Sequence, residues 1–140
     1  MQPTDDTCGQ TTVAMIAGVS VDEVIRITGV IRGTFDEEMQ YALDVLGFQC
    51  GKPRTVPYED HRTSRFHFPA CCVGTVQWHG LNDEMYHAIL INKGIVYDPA
   101  FGGVVPIHGY VTNILPRDHR HLAEIFAIKG RKNGPPKEHV

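Results

Sequence analysis

Cys8 stands near the head of the row Thr7 to Ala17, TCGQTTVAMIA, and a cysteine attacks only as its thiolate. The positive end of a helix and a nearby imidazolium both favour that anion. Val13, Ile16 and Ala17 fall on one face at helical spacing, with Thr7 as a candidate cap and Gly18 as a stop, so Cys8 is expected at a helix start. His87 opens the apolar row YHAILIN and is expected to project from a rigid element at the sheet edge, which suits a general base. Asp98 ends the next strand in VYDPAFG. Antiparallel pairing across a tight Asn92-Lys93-Gly94 turn is expected to return it to His87, where a carboxylate holds the imidazole by its second nitrogen. Asn92 competes with it for that task, and Asp98 alone could be just a turn residue at the hairpin end, but Asp98 is the favoured orienting acid. Pro99 fixes the chain direction immediately afterwards. Gln2 precedes Cys8 by six positions, in a loop. Its amide could serve a developing oxyanion beside the Cys8 backbone N–H, or be an ordinary surface amide.

These side chains need elements to hold them. Ser20 with Glu23 is a capping-box pattern, and Val21, Val24, Ile25 and Thr28 supply an apolar stripe that Gly29 closes. Thr34 with Glu37 repeats it, and Phe35, Met39, Ala42, Leu43 and Leu46 mark a third helix ended by Gly47. Thereafter the pattern becomes β-rich. A short strand is expected at Phe48 to Cys50 and a long loop at Lys52 to His67. Further strands are expected at Ala70 to Trp78, Tyr86 to Asn92, Gly94 to Tyr97, Val104 to Ile107 and Leu122 to Lys129. Helices first and an antiparallel sheet second is an α+β layout in one domain, residues 1–129, with 130–140 as a flexible tail.

Composition narrows the partners. In 140 residues, 13 basic and 16 acidic side chains give a formal charge of −3, too little positive field to hold a nucleic-acid backbone. Hydrophobic residues at 42% and charged ones at 21% describe a foldable globular chain, and its apolar runs are too short to span a membrane. With no secretory pattern at the N-terminus, a cytoplasmic protein with free thiols at Cys8, Cys50, Cys71 and Cys72 is expected.

Other groups read more plainly. Cys71 and Cys72 are adjacent, so on a strand they point to opposite faces and cannot form a zinc-binding C-x-x-C pair. His119 and His121 lack a third ligand at suitable spacing, so neither metal nor cofactor is expected. Trp78 either walls a substrate groove or completes the core. Asp83 and Glu84 read as a solvated turn, and Gly102-Gly103 equally as a mobile turn near the cleft or a plain β-turn.

The row QPTDDTCGQTTVAMI resembles the nucleophile motif of the double-glycine leader peptidases of bacteriocin exporters, papain-clan cysteine peptidases with stand-alone relatives. YHAILINKGIVYDPAFG is similar to that family's histidine strand and its Asp-Pro turn. Thr7 stands where the exporter peptidases usually have aspartate, so leader specificity is not carried over. The resemblance implies a papain-like fold with the helix of Cys8 packed on an antiparallel sheet. It implies Cys8 as nucleophile, His87 as base, Asp98 as orienting acid and Gln2 as oxyanion donor. The function so implied is a cysteine peptidase or isopeptidase acting on a protein or peptide, of a size that suits a phage or pathogen effector. An acyltransferase, a transglutaminase or a glutamine deamidase would use the same triad, and a non-catalytic binding module would keep only the frame.

Overall fold

The computed structural model describes residues 8–29, 36–57, 67–78, 86–99, 103–117 and 120–131, with the backbone alone at residues 8, 36, 78, 86 and 131. Gln2, Thr34, Phe35, Asp83, Glu84, Gly102, His119 and the segment 132–140 lie outside these. The chain opens with three helices, α1 (Cys8–Ala17), α2 (Val21–Thr28) and α3 (Asp36–Val45). The expected caps are present at α2. The Ser20 side chain accepts from the Glu23 N–H, and Gly29 takes the left-handed conformation that closes the helix.

Seven strands follow: β1 (Phe48–Cys50), β2 (Arg54–Thr55), β3 (Cys71–Trp78), β4 (Tyr86–Asn92), β5 (Ile95–Tyr97), β6 (Val104–Pro106) and β7 (Arg120–Arg131). They form an antiparallel sheet in the order β1-β7-β3-β4-β5-β6, with β2 also on β7. The α+β expectation holds at this level. Three details differ from it. Arg54 and Thr55 pair with β7 inside the expected loop, and β7 runs on through Gly130 and Arg131, which were expected in the tail. Between β6 and β7 the chain forms short helical pieces, Ile107–Gly109, a π-helical turn Tyr110–Ile114, and Leu115–Arg117, together α4. The row IHGYVTNILPR carries apolar residues at Ile107, Tyr110, Val111, Ile114 and Leu115, a helical repeat, but Gly109 and Pro116 interrupt it and no helix was expected there.

The sheet buries both faces. Val13, Ala14, Val24, Met39, Ala42 and Leu43 of α1–α3 cover Val73, Ala88 and Phe126 on one side. On the other, Tyr110, Val111 and Leu115 of α4 cover Cys72, Val76, Ile89, Leu122 and Ile125. Leu122 and Ile125 would face opposite ways in a regular strand. A bulge in β7 opposite Thr75 and Val76 restores Leu122 to the face of Ile125. Simple alternation in the sequence does not reveal it. Gln10, Thr11 and Thr12 are buried along with Val13 and Ala14, so α1 is enclosed on more sides than an amphipathic stripe suggests. Among the described residues no helix is long and apolar enough to cross a membrane.

Cys72 lies wholly within the α4-side core, and burial pushes its thiol up to about 12. Gly74, its neighbour on the same face, sits where strands β4 and β7 close in. A Cβ there would lie 2.8 Å from Leu122 Cδ1 and 3.1 Å from Ile89 Cγ1, both in the packed core. Gly74→Ala is therefore expected to destabilise the fold by about 1–3 kcal/mol through overpacking. The urea midpoint measures this, and an unchanged or higher midpoint would show that the space is not filled as described.

Candidate active site

Two residues on the β4–β5 hairpin come together in the folded chain. Register pairs Asn92 with Ile95, Ile91 with Val96 and Leu90 with Tyr97, leaving the two-residue turn Lys93-Gly94. Both turn residues have positive φ, 52° and 77°, as a type I′ hairpin turn requires. The turn is one residue shorter than expected. Continuing the register, Asp98 falls opposite Ile89 and diagonal to His87, on the same face of the sheet. His87 Nε2 and Asp98 Oδ1 are in direct contact, with both residues 6% exposed. Asn92, at the turn end of β4, is five residues or about 17 Å from His87 along the strand, so it is not the orienting residue.

His87 does not lie on an edge strand, as expected; β4 runs between β3 and β5. It stands one residue from the start of β4, and its cross-strand neighbour Val76 is wholly buried. The imidazole is thus walled on the sheet side and engaged at Nε2 by Asp98.

Tyr110 completes the group. Its hydroxyl donates to Asp98 Oδ2 at 2.8 Å, and the residue is 1% exposed. Each carboxylate oxygen therefore has its own donor. Tyr110 falls on the apolar repeat Ile107, Tyr110, Val111, Ile114 and Leu115, which marks it as a core residue of a helix; nothing local marks its hydroxyl as a partner of Asp98.

Cys8 is the first residue of α1, as expected, where the unsatisfied N–H groups of a ten-residue helix gather. Thr12 lies one turn further on, at the spacing that puts two residues on one helix face. The Thr12 hydroxyl donates to the Ala88 carbonyl at 3.3 Å, next to His87. That carbonyl is available for a reason in the hairpin. Alternation of the ladder turns Asn92, Leu90 and Ala88 toward β5, and the residue opposite Ala88 would be Pro99, which has no N–H to donate. β5 accordingly ends at Tyr97, and α1 occupies the place it vacates. Cys8 therefore lies about one helical turn, near 6 Å, along α1 from the residue that is hydrogen-bonded to β4. The position of Gln2 lies outside the described residues.

The remaining sequence candidates are not part of this group. Cys50, Cys71 and Cys72 are free thiols. Burial raises Cys71 above the usual thiol range as it does Cys72, and neither touches His87 or Asp98 in the sheet register. His121 pairs with Gln77 across the β3–β7 ladder. Trp78 is the last residue of β3. Among the described residues, no three His, Cys, Asp or Glu side chains are placed to hold a metal ion.

Asp98→Ala would leave two buried donors, His87 Nε2 and the Tyr110 hydroxyl, without their acceptor. The expected loss is about 2–6 kcal/mol of folding stability, from roughly 1–3 kcal/mol for each orphaned group. Denaturant unfolding with the slope held constant reads this out, and a loss below that of an average surface substitution would contradict the buried arrangement.

Compared with known proteins, the chain matches no protein-family model and no curated protein.

Proposed function

We propose that this chain is a cysteine peptidase or isopeptidase of papain-like fold, with Cys8 as nucleophile, His87 as base and Asp98 as orienting acid. The observation that carries it is the buried contact of His87 with Asp98, beside the strand residue to which the Cys8 helix is hydrogen-bonded. The order of residues along the chain and the type I′ hairpin that joins base to acid support the same reading.

In the mechanism His87 carries the proton in both halves of the reaction. His87 Nδ1 takes the Cys8 thiol proton, and the helix end and the imidazolium stabilise the thiolate. The sulfur adds to the substrate carbonyl carbon, and the oxyanion is met by the Cys8 N–H and the Gln2 amide. As the C–N bond breaks, His87 returns its proton to the leaving amine and a thioester remains. Water, giving up a proton to the same imidazole, adds to the thioester, and the acid departs as the thiol is regenerated. Reaction at Nδ1 requires that the first turn of α1 overhang the end of β4. Ala88 faces α1, whereas the alternation of the strand turns His87 to the opposite face.

A binding module is a poorer account of the same observations. Buried polar pairs are often neutral or costly relative to apolar residues of similar volume, so a scaffold has no need of a three-member polar chain at His87, Asp98 and Tyr110.

Thiol reactivity separates the two. Alkylation consumes the thiolate, so a raised pKa lowers the reactive fraction at any pH below it. Cys71 and Cys72 are therefore expected to stay nearly unlabelled by iodoacetamide at pH 6, and Cys72 to remain so at pH 8. Cys8 is expected to label at pH 6 at least about tenfold faster than Cys50, and to lose most of that advantage in His87→Ala. Peptide mapping by mass spectrometry gives each rate. Equal, slow labelling of Cys8 and Cys50 in the parent chain would rule out the ion pair. In a second experiment, Cys8→Ala is expected to abolish cleavage of a peptide library that the parent protein digests, with the fold unchanged by circular dichroism. Retained cleavage would remove Cys8 from the mechanism.

A further inference from the structure

We infer that Tyr110 is a positioning residue for this site: it holds the Asp98 carboxylate in the one orientation that keeps the His87 proton on Nε2 and leaves Nδ1 as the base. The inference deepens the proposed function and rests on His87 acting through Nδ1.

A carboxylate attached to a short side chain can turn about its last bond and present either oxygen, or both, to a neighbour. Here the Tyr110 hydroxyl occupies Oδ2 at 2.8 Å while His87 Nε2 contacts Oδ1. A carboxylate has no proton to give, so the hydroxyl is the donor. Rotation of Asp98 would break both contacts inside a buried environment, where an unpaired polar group is expensive. A fixed acceptor at Nε2 selects the neutral imidazole that carries its proton there.

The grip on Asp98 is only as firm as the element behind it, and α4 is anchored to the same hairpin. The Ile107 N–H donates to the Gly94 carbonyl at 2.8 Å, at the β4–β5 turn, and β6 pairs with β5 through Val105 and Val96. Tyr110 begins the π-helical turn, a local irregularity that recurs at functional sites, and its ring is packed in the core with Leu115 and Leu122. The hairpin is thus braced at its turn by Ile107 and at its far end by Tyr110, three residues later in one segment. A tyrosine serving only to fill the core would need neither the hydroxyl nor this anchoring.

The test reads the His87 tautomer directly. Tyr110→Phe keeps the ring in the core and removes one oxygen; Leu115→Ala disturbs the same core and keeps the hydroxyl. Ring-nitrogen NMR of His87 is recorded on parent and variants at a pH where the imidazole is neutral and at a temperature where all three are folded. The parent and Leu115→Ala are expected to show the Nε2–H form alone, and Tyr110→Phe a mixture of both tautomers. In parallel, the Cys8 iodoacetamide rate at pH 6 is expected to fall about tenfold in Tyr110→Phe, on the order of a partial loss of base catalysis. A Tyr110→Phe variant that is less stable, yet holds His87 wholly in the Nε2–H form with an unchanged Cys8 rate, overturns the inference. The tautomer reading does not involve Cys8. A tautomer shift without preferential Cys8 labelling in the parent would therefore refute the peptidase reading and leave the positioning of His87 by Tyr110 in place.

Discussion

Asp98 is buried with both carboxylate oxygens engaged, and the rest of the architecture can be understood as what that requires. An ionised carboxylate in an apolar surround is tolerated only when its lone pairs are met by donors of good geometry. His87 and Tyr110 are those donors, and they come from elements far apart in the chain: the second residue of β4 and the start of the π-helical turn in α4. Neither element can shift without exposing a cost in the other. The β7 bulge, which brings Leu122 and Ile125 onto one face, and the bare Gly74 between them and Ile89 are the packing conditions under which α4 can lie close enough to reach Asp98.

A second constraint links this polar chain to the helices on the opposite face. Pro99 ends the β4–β5 ladder by having no N–H to offer, and the Ala88 carbonyl is handed to Thr12 of α1. One imino acid thus stops a strand, directs Asp98 out of the ladder and opens a hydrogen-bonding position for the helix that begins with Cys8. The proposed cysteine hydrolase would need a nucleophile and a base from different elements in fixed relation.

Much of this was legible in the sequence because it depends on local chemistry. Ser20 with Glu23, Gly29, and the alternating apolar rows at Cys71 to Trp78 and Tyr86 to Asn92 carry their meaning within a few residues. The nearness of His87 and Asp98 followed from a tight turn between two strands, even though the turn proved one residue shorter and β4 an interior strand. What was not legible depends on tertiary packing. The segment 107–117 shows a helical apolar repeat, but that pattern marks Tyr110 only as a core residue and says nothing of its hydroxyl reaching Asp98. Burial of Gln10, Thr11 and Thr12 reflects how many elements surround α1, which no periodicity in TCGQTTVAMIA encodes. The pairing of Arg54 and Thr55 with β7 likewise depends on the distant partner rather than on their own propensity.

The central proposal is that α1 and the β4–β5 hairpin bring a sulfur to Nδ1 of an imidazole already held at Nε2 by a carboxylate. The separation of Cys8 Sγ from His87 Nδ1 in a crystal of the unmodified chain tests it most directly. The account predicts contact at about 3–4 Å, with Nε2 still on Asp98. A sulfur on the order of 10 Å away, on the far side of β4 from the ring and beyond the reach of a side-chain rotation, would contradict it.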